Sequence, residues 1–349
     1  MQYKVSIKRK CYLLSVLLMT VWLTGCVQEE FESTPSPAGN GIRFTLTVPD
    51  VNLPSVSSRT MTGTGTAKKE DEIETVDILV FDMSKTPAVF LEWVSATGVT
   101  QDLADNSTVS FSAVLSPTTA STCIVVVANK ELDNIVSGFT KGATTKVEAM
   151  EKMLHTQTGK WLADGSTTGG YTRIPMYGEK VISKITPSMN PITEINMKRM
   201  LARIDIRNNS VTSNFMVEEV YLANYNTTGY IAPAWNTNGQ VTEPAPDTPV
   251  LPTGSGKMTE EGNAILYSVN GNTPYDGEIY TFESLAAGDA GGAGQDGEAS
   301  RKDATCLIVK GKIGTGESTF YRVDFTKTGN TGEQVEYLPL KRNHKYIIT

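Results

Sequence analysis

The sequence predicts a mainly β chain: two antiparallel β-sandwich domains in tandem, with one short helix in the first. Three observations carry that reading. Short runs rich in Val, Ile, Phe, Tyr and Thr recur along the chain. Turn-forming stretches of Gly, Pro, Asn, Ser and Thr separate them. Helical spacing of apolar residues stands out in a single segment, and short strands with such connections define sandwiches.

The elements follow in order. Phe44, Leu46 and Val48 alternate with Arg43, Thr45 and Thr47, the period of a half-buried strand over 42–48. The polar stretch Ser55 to Ala67 supports no core and reads as an exposed loop. Strands are expected at 73–81, 88–94, 109–115 and 123–128. Thr145 with Glu148 forms a capping box, and Val147, Met150, Met153 and Leu154 follow at helical spacing, packing one helix onto a sheet. Strands resume at 179–185, 193–197 and 202–207, and the chain starts over after Asn208. The second half offers strands at 215–225, 263–269, 305–313, 319–325 and 344–349, set apart by long loops at 226–262 and 286–300.

Ahead of the folded part, Lys4, Lys8, Arg9 and Lys10 precede an apolar run from Cys11 to Gly25. That run is shorter than the roughly 20 residues a spanning helix needs, and its basic leader and small-residue exit define a secretory signal over 1–25. Leu23-Thr24-Gly25-Cys26 resembles the lipobox of bacterial lipoproteins. The resemblance implies cleavage between Gly25 and Cys26 and acylation of the Cys26 sulfur, with the outer membrane as the lipid's partner. Gln28, Glu29 and Glu30 resemble the acidic signal that sends Bacteroidetes lipoproteins to the cell surface. Residues 26–41, rich in Glu, Ser, Pro and Gly, read as a flexible tether. The domains are therefore expected at 42–207 and 208–349.

Composition removes several functions. Loss of the four basic residues in 1–25 takes the net charge from -7 to -11, so nucleic acid is not an expected partner. Cys123 and Cys306, each in an apolar strand, are expected as buried, inert thiols. The two histidines, His155 and His344, have no metal-ligand spacing and no arranged nucleophile, so no metal, cofactor or enzyme activity is expected. Gly292, Gly294 and Gly297 satisfy a G-x-G-x-x-G pattern without the strand and helix a dinucleotide site requires. Asp289 and Asp296 in the same loop lack the ligand order of a calcium loop. Among Trp93, Trp161 and Trp235, Trp235 in its loop-like setting is the candidate glycan contact, against the alternative of capping a core edge.

The fragments IETVDILVFD (73–82), IVVVANK (124–130), IPMYGE (174–179), MKRMLARIDI (197–206) and LKRNHKYIIT (340–349) resemble, in order, the fimbrillin family of Bacteroidales, fimbrial pilins exported as lipoproteins. The resemblance implies transthyretin-like sandwiches, a surface location at the outer membrane and later in the fimbrium, and assembly by donor-strand exchange. In that scheme an arginine-specific protease cuts a loop behind the first strand, the strand leaves, and another subunit's strand takes its place. Here the implied bond is Arg59–Thr60; Arg43 lies inside the presumed strand and is a poor candidate. The implied partners are other fimbrial subunits, the protease, and a host or bacterial surface receptor. Because the chain stops at Thr349 within its last expected strand, a tip or accessory subunit is expected, with a truncated stalk subunit as competitor. The rival class is a surface glycan-binding lipoprotein.

Overall fold

The structure is a computed structural model that describes residues 42–48, 69–101, 108–162, 172–208, 213–258, 262–271, 274–287, 302–327 and 336–349. The expected signal, tether and lipidation site, Arg59 and Thr60, and the glycine-rich loop with Asp289 and Asp296 lie outside these residues. Along the chain run Ile42–Thr47 (β1), Val76–Asp82 (β2), Val89–Ser95 (β3), Thr97–Gln101 (β4), Thr108–Ala113 (β5) and Thr122–Ala128 (β6). Two helices follow, Asp133–Val136 (α1) and Lys146–Lys152 (α2). Then come Leu154–Thr156 (β7), Met176–Ile182 (β8), Ile192–Asn196 (β9) and Lys198–Arg199 (β10). The later half holds Ala202–Ile206 (β11), Phe215–Ala223 (β12), Tyr225–Asn226 (β13), Thr228–Tyr230 (β14), Lys257–Met258 (β15), Ile265–Ser268 (β16) and Tyr275–Thr281 (β17). It ends with Cys306–Ile313 (β18), Thr319–Asp324 (β19), Thr326–Lys327 (β20), Glu336–Tyr337 (β21) and Lys345–Ile348 (β22).

The first sandwich faces a β4-β5-β1-β9 sheet against a β10-β8-β6-β2-β3 sheet. Strands β2 and β6 are apolar at nearly every position, as strands covered on both faces must be. Ile78, Val80, Ile124 and Val126 point into the sandwich, where they meet Phe44, Leu46 and Phe111. Leu79, Phe81, Val125 and Val127 point the other way, onto Ala149 and Met150 of α2 and onto Leu201, Ile231 and Phe282. The period of two thus splits one apolar run between two cores.

The second sandwich faces β17-β11-β22 against β16-β12-β18-β19 around Ile204, Val220, Leu222, Tyr267, Ile279 and Leu307. Strand β11, which the sequence division at 207 assigns to the first half, pairs antiparallel with β17 and parallel with β22. The short β7 pairs with β14, so a strand of the first half joins one of the second.

The expected helix forms with its full capping box: Thr145 Oγ1 accepts from Glu148 N at 3.2 Å and Glu148 Oε2 accepts from Thr145 N at 2.8 Å. Its buried residues are Lys146, Ala149 and Met150 rather than the expected Val147. Cys123 and Cys306 are free and buried, and burial pushes their thiols up to about 12 and about 11. At those values neither is a thiolate at neutral pH.

His155 packs between Trp161 and Phe282, with ring centroids 5.2 Å and 6.3 Å away. Burial, then the nearby Lys130 charge, bring its pKa down to about 4. Between pH 6.5 and 4 the unfolded chain binds this proton and the folded chain does not, so the contribution to stability is full above pH 6.5 and lost as pH falls toward 4. Its size is about 2–3 kcal/mol. The urea midpoint of the protein should fall relative to that of His155→Leu as pH is lowered over that range, because the variant lacks this part of the acid sensitivity.

Candidate functional site

The candidate site is the slot that β1 occupies. Strand β1 lies between β5 and β9 and is not an edge. It pairs antiparallel with β5 from Ile42↔Ala113 to Thr47↔Thr108, and parallel with β9 through Phe44↔Ile192, Leu46↔Ile195 and Thr47↔Asn196. The β9 side carries an irregularity between Phe44 and Leu46, opposite Glu194, whose φ is 61°. That bulge lets Ile192 and Ile195 both reach the core across an interval of three residues. Just beyond β9, Met197 N donates to Thr47 O at 2.8 Å.

The slot is dry and apolar. Ile42, Phe44, Leu46 and Val48 are buried, and Phe44 lies stacked on Phe111 with centroids 4.9 Å apart and planes 6° from parallel. Removing these four side chains from water contributes about 2 kcal/mol each, so about 8 in all. Ordering seven residues of backbone opposes this by about 1–2 kcal/mol apiece. The strand is therefore retained by a small difference between large terms, together with its ladder hydrogen bonds and its covalent connection. What surrounds the buried face of β1 is apolar side chain and ladder backbone.

The remaining expected positions have other surroundings. Trp161 is buried and its Nε1 donates to Thr172 O at 2.8 Å. Trp93 and Trp235 are partly buried against the core, and Trp235 meets Tyr230 edge-on at 5.0 Å. His344 Nδ1 lies 2.8 Å from Arg342 O, and burial lowers its pKa. A cleft of about 310 Å³ runs past Lys198, Lys341 and His344, with Lys198 paired to Glu243 and Lys341 to Asp247. Among the described residues no His, Cys, Asp and Glu cluster is arranged for a metal, and no helix is long and apolar enough to cross a membrane.

Two of the fragments singled out in the sequence meet in space. Arg199 NH1 donates to Asn343 Oδ1 at 2.9 Å, and Asn343 N donates to Leu201 O at 2.9 Å. Beside them Arg342 is gripped by Glu283 Oε2, at 2.6 Å from NH2, and by the carbonyls of Ile231 and Tyr230. Sequence reading missed these roles because side-chain-to-backbone bonds between distant segments leave no periodic signal.

Two sandwiches, with a first strand held at the centre of one sheet, make up the described fold. The chain belongs to the major fimbrial subunit protein (FimA) family, whose model matches residues 42–300. That family places it among the fimbrial subunits of the cell surface. Among solved structures, it is similar to a candidate cell adhesion protein from Parabacteroides distasonis (18% identity, 88% of this chain and 87% of that one, TM-score 0.46). It is similar also to the tip fimbrial protein Mfa3 from Porphyromonas gingivalis (15% identity, 87% and 93%, TM-score 0.45). A third likeness is to candidate polysaccharide binding proteins from Bacteroides thetaiotaomicron (10% identity, 81% and 80%, TM-score 0.36). No curated protein matches.

Proposed function

We propose that the chain is a fimbrial subunit exported as a lipoprotein on Cys26, and that it polymerises when cutting at Arg59–Thr60 frees β1. The observation that carries this reading is the central place of β1 in its sheet. Loss of an edge strand would leave one new edge. Loss of a central strand leaves two, facing each other across an apolar trough lined by Phe111, Val109, Ile192 and Ile195. Unpaired edges invite a strand from another chain, and alternate pockets select its side chains. A contact of that kind runs head to tail, so it grows filaments rather than closed rings. Cys26, the tether and β1 would leave together, which makes the lipid a transport device that holds the subunit at the outer membrane until assembly. The partners are then an arginine-specific protease and neighbouring subunits. We take the two sandwiches as the two domains, divided just before β11.

The test is the N-terminus of the protein recovered from fimbriae, read by mass spectrometry. Thr60 is expected. Acylated Cys26 on every molecule in the fibre would overturn the reading.

A further inference from the structure

The segment from Glu70 to Glu74 joins the loop behind β1 to the start of β2, and its side chains are engaged to an unusual degree. Glu70 is 7% exposed. Its Oε1 accepts from Arg203 NH1 at 2.8 Å and its Oε2 from the Tyr280 hydroxyl at 2.8 Å, so one carboxylate of the first half is held by β11 and β17 of the second. Arg203 in turn bonds Asp205 through Nε at 2.7 Å and NH2 at 3.0 Å, and Asp205 Oδ1 also accepts from Gly277 N at 2.8 Å. Burial opposes the charge on Arg203, but Glu70 and Asp205 outweigh it and hold its pKa above the ordinary value. Asp71 pairs with Arg199, which is buried on β10. Arg173 reaches Glu72 at 3.1 Å and Glu74 at 2.6 Å.

The backbone is fixed as well. Gln101 donates through Nε2 to Asp71 O at 2.7 Å and accepts from Ile73 N at 3.1 Å. Asn129 donates through Nδ2 to Glu72 O at 2.7 Å and accepts from Glu74 N at 2.9 Å. The partners named lie outside β1, β5 and β9, so these bonds do not pass through the β1 slot; Ile73 alone of the segment shares a core with Phe44 and Leu46. A surface ion pair such as Arg173 with Glu74 adds little, but opening the cluster would strand the buried Glu70 and Arg199.

We propose that residues 70–74 are a clasp that confines the loss of β1 to β1 itself and fastens the start of β2 to the second sandwich. Its biological occasion rests on the processing reading above; its physical content is that β1 opens separately from β2. Strand β1 is held by apolar burial close to balance, whereas the clasp is held by buried charge at Glu70, Arg199 and Arg203 and by partly exposed pairs at Glu72 and Glu74. The first sandwich can therefore present an empty slot without unravelling into β2.

Hydrogen exchange on the full-length mature chain tests this without any cleavage. Peptides from β1 are expected to exchange roughly tenfold or more faster than peptides covering 72–82. Glu70→Gln should reduce that gap by speeding exchange in 72–82. Tyr280→Phe, which removes one hydroxyl bond, and Arg173→Ala, which frees Glu72 and Glu74 from one partner, should act in the same direction with less threat to folding. Concerted exchange of β1 and 72–82 in the unaltered protein would overturn the clasp, and so would an unchanged gap in the variants. Treating the same sample with an arginine-specific protease separates the two ideas, because an intact Arg59–Thr60 bond sinks the processing reading and leaves the exchange result standing.

Discussion

Phe44→Ala is expected to destabilise the full-length mature chain by about 3–5 kcal/mol, the usual result of emptying a phenylalanine site in a core. The ring is 1% exposed and sits at the middle of β1, stacked on Phe111. Three losses add: the transfer of the ring from water, the cavity left behind, and the ring pair itself, about 0.5–1.5 kcal/mol. The neighbours cannot collapse into the space, because Ile78, Val80, Ile124 and Val126 belong to strands whose opposite faces are locked into a second core. The loss should fall on β1 first, because the gross gain from its four buried side chains is only about 8 kcal/mol. Removing a third or more of that leaves the strand open much of the time. Urea unfolding followed by tryptophan fluorescence measures the stability, and proteolysis of the 42–48 region measures the opening. A change below about 0.5 kcal/mol would mean that β1 does not hold its slot through this ring.

The β1 strand was legible from its sequence because one face is wet and the other dry. The alternation of Ile42, Phe44, Leu46 and Val48 with polar residues is the signal of a half-buried strand. The position of β1 at the centre of a sheet was not legible. It depends on β5 and β9 arriving from distant parts of the chain, one antiparallel and one parallel. Strand β17 went unread for a different reason. Asp276 and Glu278 interrupt its apolar pattern, yet Asp276 Oδ2 pairs with Arg207 at 3.1 Å and Gly277 N donates to Asp205, so charge does not exclude the strand from its sheet. Arg199, Arg203 and Glu70 also read as ordinary surface charges until the partners are seen. Buried ion pairs are the class of contact that periodicity cannot find, since each partner looks out of place alone.

Lys146 is another such residue, and the two ends of its pair should respond unequally to substitution. Its side chain is 1% exposed, its Nζ lies 2.6 Å from Glu179 Oε2, and Glu179 is 18% exposed. Glu179 has further partners: the Tyr177 hydroxyl donates to Oε2, and Val241 N donates to Oε1 at 3.4 Å. In Lys146→Met the carboxylate keeps those donors and some water, so the loss is expected at about 1–3 kcal/mol. In Glu179→Leu the ammonium is left in an apolar site and the Tyr177 hydroxyl loses its acceptor, so about 3–5 kcal/mol is expected. The double variant should lose less than the two singles together, with a coupling on the order of 2 kcal/mol, because neither stranded charge remains. The pH dependence separates this from a packing effect. An unpaired buried lysine has a folded pKa below its unfolded value near 10.4, so between the two the unfolded chain binds more protons and stability rises with pH. Glu179→Leu should accordingly recover stability as pH is raised from 7 to 10, relative to the double variant. Equal and additive losses with flat pH profiles would show that α2 is held to the sheet by Ala149 and Met150 alone.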